Sequence, residues 1–137
     1  MAEVPKPMPE ISAETRPYWD GLAARRLLLQ RCTACGTIRH YPRPLCAECH
    51  AFGHDWVEAK GTATVHSWTV AHHAFHPAFR GLPPFALVTA DLPEGVRILA
   101  PLRDAEPGVL RIGLPLRIGF EENGQGLTLP VVRPAEG

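Results

Sequence analysis

The chain has 137 residues, 45% of them apolar, enough for one compact domain or two very small ones. Fourteen basic residues balance fourteen acidic ones, which argues against bulk electrostatic capture of nucleic acid or of an anionic membrane. Twelve of the basic residues are Arg and only Lys6 and Lys60 are Lys, a bias that fits phosphate or carboxylate recognition and, more plainly, a GC-rich coding sequence.

Residues 1–14 carry three prolines and no periodicity, and read as an extended arm, mobile or laid on a partner. They hold no apolar run long enough for a signal peptide or membrane span, so a cytoplasmic protein is expected. "TRPYWDGLAARR" predicts a short helix with Thr15 as N-cap and Pro17 in the first turn, where the missing N–H costs little. Tyr18 and Leu22 would share one face with Arg25 or Arg26. "LLLQRC" then predicts a short strand leading into the first cysteine pair.

All four cysteines lie in "RCTACGTIRHYPRPLCAECHAFG", as Cys32, Cys35, Cys46 and Cys49. Two C-x-x-C pairs ten residues apart form a metal-site pattern, and in a reducing compartment paired thiols are more often ligands than disulfides. Each pair can fold as a knuckle that aims backbone N–H groups at sulfur. Gly36 stands after the first pair, where a left-handed residue is needed, and His50 stands after the second. Four thiolates close a tetrahedron and leave no place for substrate, so the metal is expected to be structural. It also answers a need, since about forty residues have too little core to fold alone. A thioredoxin-like pair would want one C-x-x-C at a strand–helix junction. The residues do not separate zinc from iron, so rubredoxin-like electron transfer stays open. His40, His50 and His54 read as surface or packing residues.

Beyond the cysteines, "DWVEAKGTATVHSWTVAHH" reads as one long strand and "AFHPAFRGLPP" as a loop. "FALVTADL" and "VRILAPL" form a hairpin about "PEG", and "RDAEPGVLRIG" is an irregular or helical link. "LPLRIGFEE" alternates Leu114, Leu116, Ile118 and Phe120 toward a core, and "NGQG" turns the chain into "LTLPVV". Five strands in this order predict a small OB-type barrel. The expected organisation is an arm (1–14), a metal-stapled unit (15–56) and a barrel domain (57–137), mainly β throughout.

Taken together, "RPYWDGL", "LLLQRCTACG", "YPRPLCAEC", "WVEAKGTATVHSWTVAHHAFHPAF", "PFALVTADLPEGVRILAPL" and "RIGLPLRIGFE" resemble the family that joins a rubredoxin-like zinc ribbon to a C-terminal OB-fold, domain of unknown function 35. The resemblance covers about residues 15 to 134, with one departure: "CAECH" has His50 where Gly is expected. It implies that Cys32, Cys35, Cys46 and Cys49 hold structural zinc. It also implies an accessory subunit that docks on a thiolase-superfamily or related acyl-CoA enzyme and helps form its coenzyme A site.

The residues themselves argue against catalysis by this chain. Every cysteine is committed to metal, Ser12 lies in the arm, and Ser67 lies mid-strand without a nucleophile-elbow pattern. "VHSWTVAHHAFHPAFRG" interleaves histidine, aromatic and arginine residues. It reads either as a solvated loop with two buried phenylalanines or as a binding surface. In the second case Trp68, Phe75 and Phe79 anchor a partner or stack on adenine, while His72, His73, His76 and Arg80 meet phosphate. Arg39, Arg43 and Lys60 are further candidates for coenzyme A phosphates, each also readable as a solvated surface cation. A competing reading is a single-stranded nucleic-acid binder, against which stand the neutral charge and the lack of a basic stripe.

Overall fold

In a computed structural model, residues 5–82 and 84–135 are described. Residues 5–14 contribute no helix or strand. From Lys6 the arm lies on the chain's own barrel: the Lys6 N–H donates to Gln125 Oε1 (3.1 Å) and Gln125 Nε2 donates to the Lys6 carbonyl (3.3 Å). The expectation for residues 1–4 falls outside the described residues.

Helix α1 spans Arg16–Ala23 and buries Tyr18 and Leu22. Thr15 precedes it but gives no side-chain cap. Its hydroxyl accepts instead from the Ser12 N–H at 3.0 Å, closing a small turn ahead of the helix. Arg25 and Arg26 lie beyond the helix end, and Arg25 turns the chain with φ 64°.

Three short strands make the first sheet, in the order β2 (Ile38–Arg39), β1 (Leu28–Cys32), β3 (His54–Glu58), all antiparallel. The second sheet runs β6 (Arg97–Pro101), β5 (Phe85–Asp91), β4 (Thr62–Ala71), β7 (Pro115–Glu122), β8 (Thr128–Pro134). A parallel bridge between Leu102 and Val132, with the Arg103 N–H on the Val132 carbonyl at 2.9 Å, brings the outer strands together. The sheet is thus a nearly closed five-stranded barrel. A 3-10 turn, Pro107–Val109, occupies the link between β6 and β7.

The segment read as one long strand is two. β3 pairs with β1 in the first sheet and β4 belongs to the barrel. The chain breaks at Gly61, whose φ of 89° no β residue adopts. The break is held by the Ala59 N–H on the Leu27 carbonyl (2.8 Å) and the Lys60 N–H on Glu94 Oε2 (2.9 Å).

One buried cluster serves both sheets. Tyr18 and Leu22 of α1 and Leu29 of β1 join Val65, Val88, Ile98, Leu116 and Val132 of the barrel. No helix among the described residues is long and apolar enough to cross a membrane.

Candidate functional site

The metal centre is built from two loops that repeat one geometry. After Cys32, the Gly36 N–H donates to the Cys32 carbonyl and the Cys32 N–H to the Thr37 carbonyl, both at 2.9 Å. After Cys46, the His50 N–H donates to the Cys46 carbonyl (2.9 Å) and the Cys46 N–H to the Ala51 carbonyl (3.0 Å). Gly36 and His50 hold the equivalent left-handed position, with φ of 79° and 64°. The missing glycine therefore leaves the second knuckle's shape intact.

The four sulfurs lie within 4.8 Å of one another. Cys32 and Cys49 are 3.5 Å apart, and Cys35 and Cys46 3.6 Å. A tetrahedron with M–S bonds of about 2.3 Å has edges of about 3.8 Å, so the set fits a single tetrahedral ion. Cys32 and Cys46 are buried while Cys35 and Cys49 face outward.

The local hydrogen bonds favour thiolate. The Cys35 backbone N–H lowers the pKa of Cys32, the Cys49 N–H lowers that of Cys46, and the Thr37 hydroxyl, 3.1 Å away, lowers that of Cys35. Cys49 receives the Ala51 N–H, which favours its thiolate. The Cys32 sulfur, burial and the other two sulfurs outweigh it and push Cys49 up to about 12. Packing a fourth anion among three is what a bound dication makes favourable.

Gln30, which the sequence reading passed over, positions the loop between the knuckles. Fully buried in β1, it accepts from Arg39 Nε (2.6 Å) and from the Arg43 N–H (2.8 Å). Its signal in the sequence is a lone amide inside the apolar run "LLLQRC". Arg39 is thereby held inside the ribbon, with Nη2 on the Arg43 carbonyl at 2.9 Å. Arg39 and Arg43 line a cleft of about 530 Å³ between the ribbon and the β5–β6 hairpin, facing Asp91 and Arg97. The loop docks on the barrel through Tyr41, whose hydroxyl accepts the Leu99 N–H at 3.1 Å.

Four of the remaining candidates gather just beyond the far end of β4. His72, His73, Phe75 and Arg80 line an open concavity of about 590 Å³. Phe75 is 93% exposed, with the His73 ring edge-on to it at 4.5 Å between centroids. His76 turns elsewhere: its Nδ1 accepts the Ala78 N–H (3.0 Å) and caps the 3-10 turn Pro77–Phe79. Phe79 is half-buried and folds under the arm, where Lys6 Nζ lies 5.9 Å from its ring centre. Trp68 stands part-exposed on β4, and Lys60 is exposed at the junction of the two sheets. The structure thus gathers four of the candidates at one tip and places Arg39 and Arg43 in a separate cleft.

A four-cysteine ribbon joined through one core to a five-stranded barrel defines a rubredoxin-like ribbon with an OB-type barrel. Two family models match, one over most of each unit. "ChsH2, rubredoxin-like zinc ribbon domain" matches residues 19–55, and "ChsH2, C-terminal OB-fold domain" matches residues 56–121. The chain belongs to this ChsH2-type, DUF35 family of zinc-ribbon and OB-fold proteins.

A solved structure described as "Ltp2-ChsH2(DUF35) aldolase" is 41% identical with a TM-score of 0.86, over 94% of this chain and all of that one. A probable enoyl-CoA hydratase alpha subunit of Thermomonospora curvata is 42% identical over 130 residues, 95% of this chain and 40% of that protein. The 3-oxo-4,17-pregnadiene-20-carboxyl-CoA hydratase alpha subunit of Mycobacterium tuberculosis is 38% identical over 112 residues, 82% of this chain and 35% of that protein. The chain therefore spans well under half the length of these two curated relatives.

Proposed function

We propose that this chain is a non-catalytic accessory subunit of an acyl-CoA enzyme. It docks on a thiolase-superfamily or related partner and completes that partner's coenzyme A site. The observation that carries the reading is the tip of β4, where an almost fully exposed Phe75 stands beside His72, His73 and Arg80. An exposed aromatic ringed by polar groups is the composition of an interface anchor. Arg80 and the two histidines supply donors for phosphate. The names of the relatives, hydratase alpha subunits and an aldolase assembly, support the same class of partner.

The chain's own chemistry is confined to holding shape. Its four thiols converge on one metal site, Ser12 is tied to Thr15, and Ser67 is exposed on a strand. The ribbon ion is read as zinc, which supplies four-coordinate cross-linking and no redox chemistry. Elemental analysis and the visible spectrum separate it from coloured ferric thiolate. Four free thiols as ligands suit a reducing compartment, so the cytoplasm is the assigned location.

The test is isolation of the tagged chain from its native host. A thiolase-superfamily or related acyl-CoA enzyme should come with it in stoichiometric amount, and turnover should need both proteins. Robust turnover by the isolated chain, or no such enzyme bound, overturns the proposal. In the complex, Arg80→Ala should weaken coenzyme A more than a pantetheine thioester that lacks the nucleotide. Equal weakening of both removes Arg80 from the site.

A further inference from the structure

The outer face of the β5–β6 hairpin changes character along its length. Near the turn it is polar, with Asp91 opposite Arg97. Toward the open end it carries Phe85, Leu87, Leu99 and Pro101, while Ala86, Val88, Ile98 and Ala100 on the other face fill the core. An antiparallel strand with one face in the core ordinarily turns polar residues outward. Here both faces are apolar, and Leu99 is still 51% exposed. The outer residues share one groove with Leu129 and Val131 of β8. Val131 is fully buried without belonging to the central cluster, so this is a second apolar layer outside the barrel.

The groove has a volume of about 740 Å³. That is within the usual range for small-molecule sites, about 300–1,000 Å³. Trp19 of α1, Phe79, and Lys6, Pro7 and Pro9 of the arm supply further walls. The β7–β8 turn pins the arm there: Gln125 bonds both backbone groups of Lys6, and Asn123 Nδ2 donates to the Met8 sulfur at 3.1 Å. Among the described lining residues, one side chain has a buried polar atom without a partner, Trp19 Nε1. A buried indole N–H ordinarily finds an acceptor. The lining charges cancel. Arg103 grips both oxygens of Glu121 (2.8 and 3.0 Å), and Lys6 and Glu122 are the other two.

We propose that this groove binds a neutral, mainly apolar small molecule whose hydrogen-bond acceptor, a carbonyl or ether oxygen, meets Trp19 Nε1–H. The unpaired donor calls for an acceptor, and the balanced lining offers a charged ligand no net opposite charge. A peptide suits the groove less well, since each residue would bring an N–H and a C=O to walls that hold one unpaired donor. Nε1 is already covered, so a wall must yield to admit the ligand, and the arm, tied through one turn, is that wall. The site shares no lining residue with the His72–Phe75–Arg80 concavity and stands apart from the accessory-subunit reading.

The metal-loaded, isotope-labelled chain tests this through the indole N–H resonances of its three tryptophans, with 2-octanone as the probe. The Trp19 resonance, identified by its loss in Trp19→Phe, should shift saturably while those of Trp56 and Trp68 stay in place. Octanoate, a chain of the same length ending in a charge, should bind at least about tenfold more weakly. Leu99→Lys, at a half-exposed position, should weaken 2-octanone by about tenfold and leave the melting temperature nearly unchanged. A Trp19 resonance unmoved up to the solubility limit overturns the site. Octanoate binding as tightly as the ketone overturns the neutral ligand class. A shift undiminished in a folded Leu99→Lys places the probe elsewhere and overturns the groove.

Discussion

His40 packs against Tyr18, with ring centres 5.2 Å apart, and neither of its ring nitrogens finds a partner among the described residues. Burial pushes its pKa from 6.5 down to about 4. The folded value lies below the unfolded one, so the unfolded chain takes up a proton that the folded chain refuses. Stability is whole above about pH 6.5 and falls as pH drops toward 4, by on the order of 3 kcal/mol if the whole difference is expressed. His40→Phe keeps a ring in the site and removes the proton. Urea unfolding at pH 7 and pH 5 should show the variant losing less stability than the parent. Equal losses would mean that the imidazole is not held neutral.

The two phenylalanines of the loop after β4 look alike in sequence and separate in the structure. Phe75 is exposed, whereas Phe79 is half-buried beneath Lys6. Phe75→Ala should leave the melting temperature of the lone chain unchanged and cost about 2 kcal/mol in partner binding, as a hot-spot aromatic does. Phe79→Ala should instead destabilise the chain by about 1–2 kcal/mol, the transfer energy of a half-covered ring. A reversal of these two results would assign the loop a different orientation.

At the scale of elements, the knuckles isolate one backbone effect. A Cβ placed on Gly36 meets nothing within 4 Å, so Gly36→Ala pays no steric cost beyond its own φ of 79°. The expected loss is about 1 kcal/mol of holo-protein stability. At the equivalent His50, replacement by Gly relieves left-handed strain but frees the unfolded chain, and the two effects of about 1 kcal/mol nearly cancel. Thermal unfolding of the metal-loaded variants measures both. A neutral Gly36→Ala would show that the first knuckle relaxes out of the left-handed region.

These knuckles were legible in the sequence because cysteine spacing and a following left-handed residue are local rules. The barrel strands were legible for the same reason: Leu116 and Ile118 alternate inward as their period demands. The division of β3 from β4 was not. Val57, Thr62 and Val65 share one β-forming composition, and only Gly61 marks the place where the chain changes sheets. That β7 pairs with β4 only over Thr62–Thr64 was also beyond local reading, since it depends on where β7 lies and not on β4 itself. The pairing of Gln30 with Arg39 is likewise tertiary, set by strand register across a turn.

At the scale of the whole molecule, the metal and the barrel share one fate. Helix α1 packs on β1 of the ribbon and on β8 of the barrel, and the cluster containing Tyr18, Leu22 and Leu29 continues without a break to Val88 and Val132. A ribbon of three short strands cannot keep its shape without its ion, because metal binding supplies its folding energy. Losing the ion should therefore strip one wall from the shared core, not merely unfold a peripheral loop. Three tryptophans report on the parts: Trp19 in α1, Trp56 in β3 and Trp68 in β4. Variants that keep Trp56 alone or Trp68 alone should unfold at one temperature when metal-loaded. Chelation under reducing conditions, or Cys46→Ser, should lower the Trp68 transition as well as abolish the Trp56 one. The shift should be about 10 °C or more if several kcal/mol of core burial are lost. A Trp68 transition unmoved by chelation would show that the barrel stands alone and that the ribbon is an independent module.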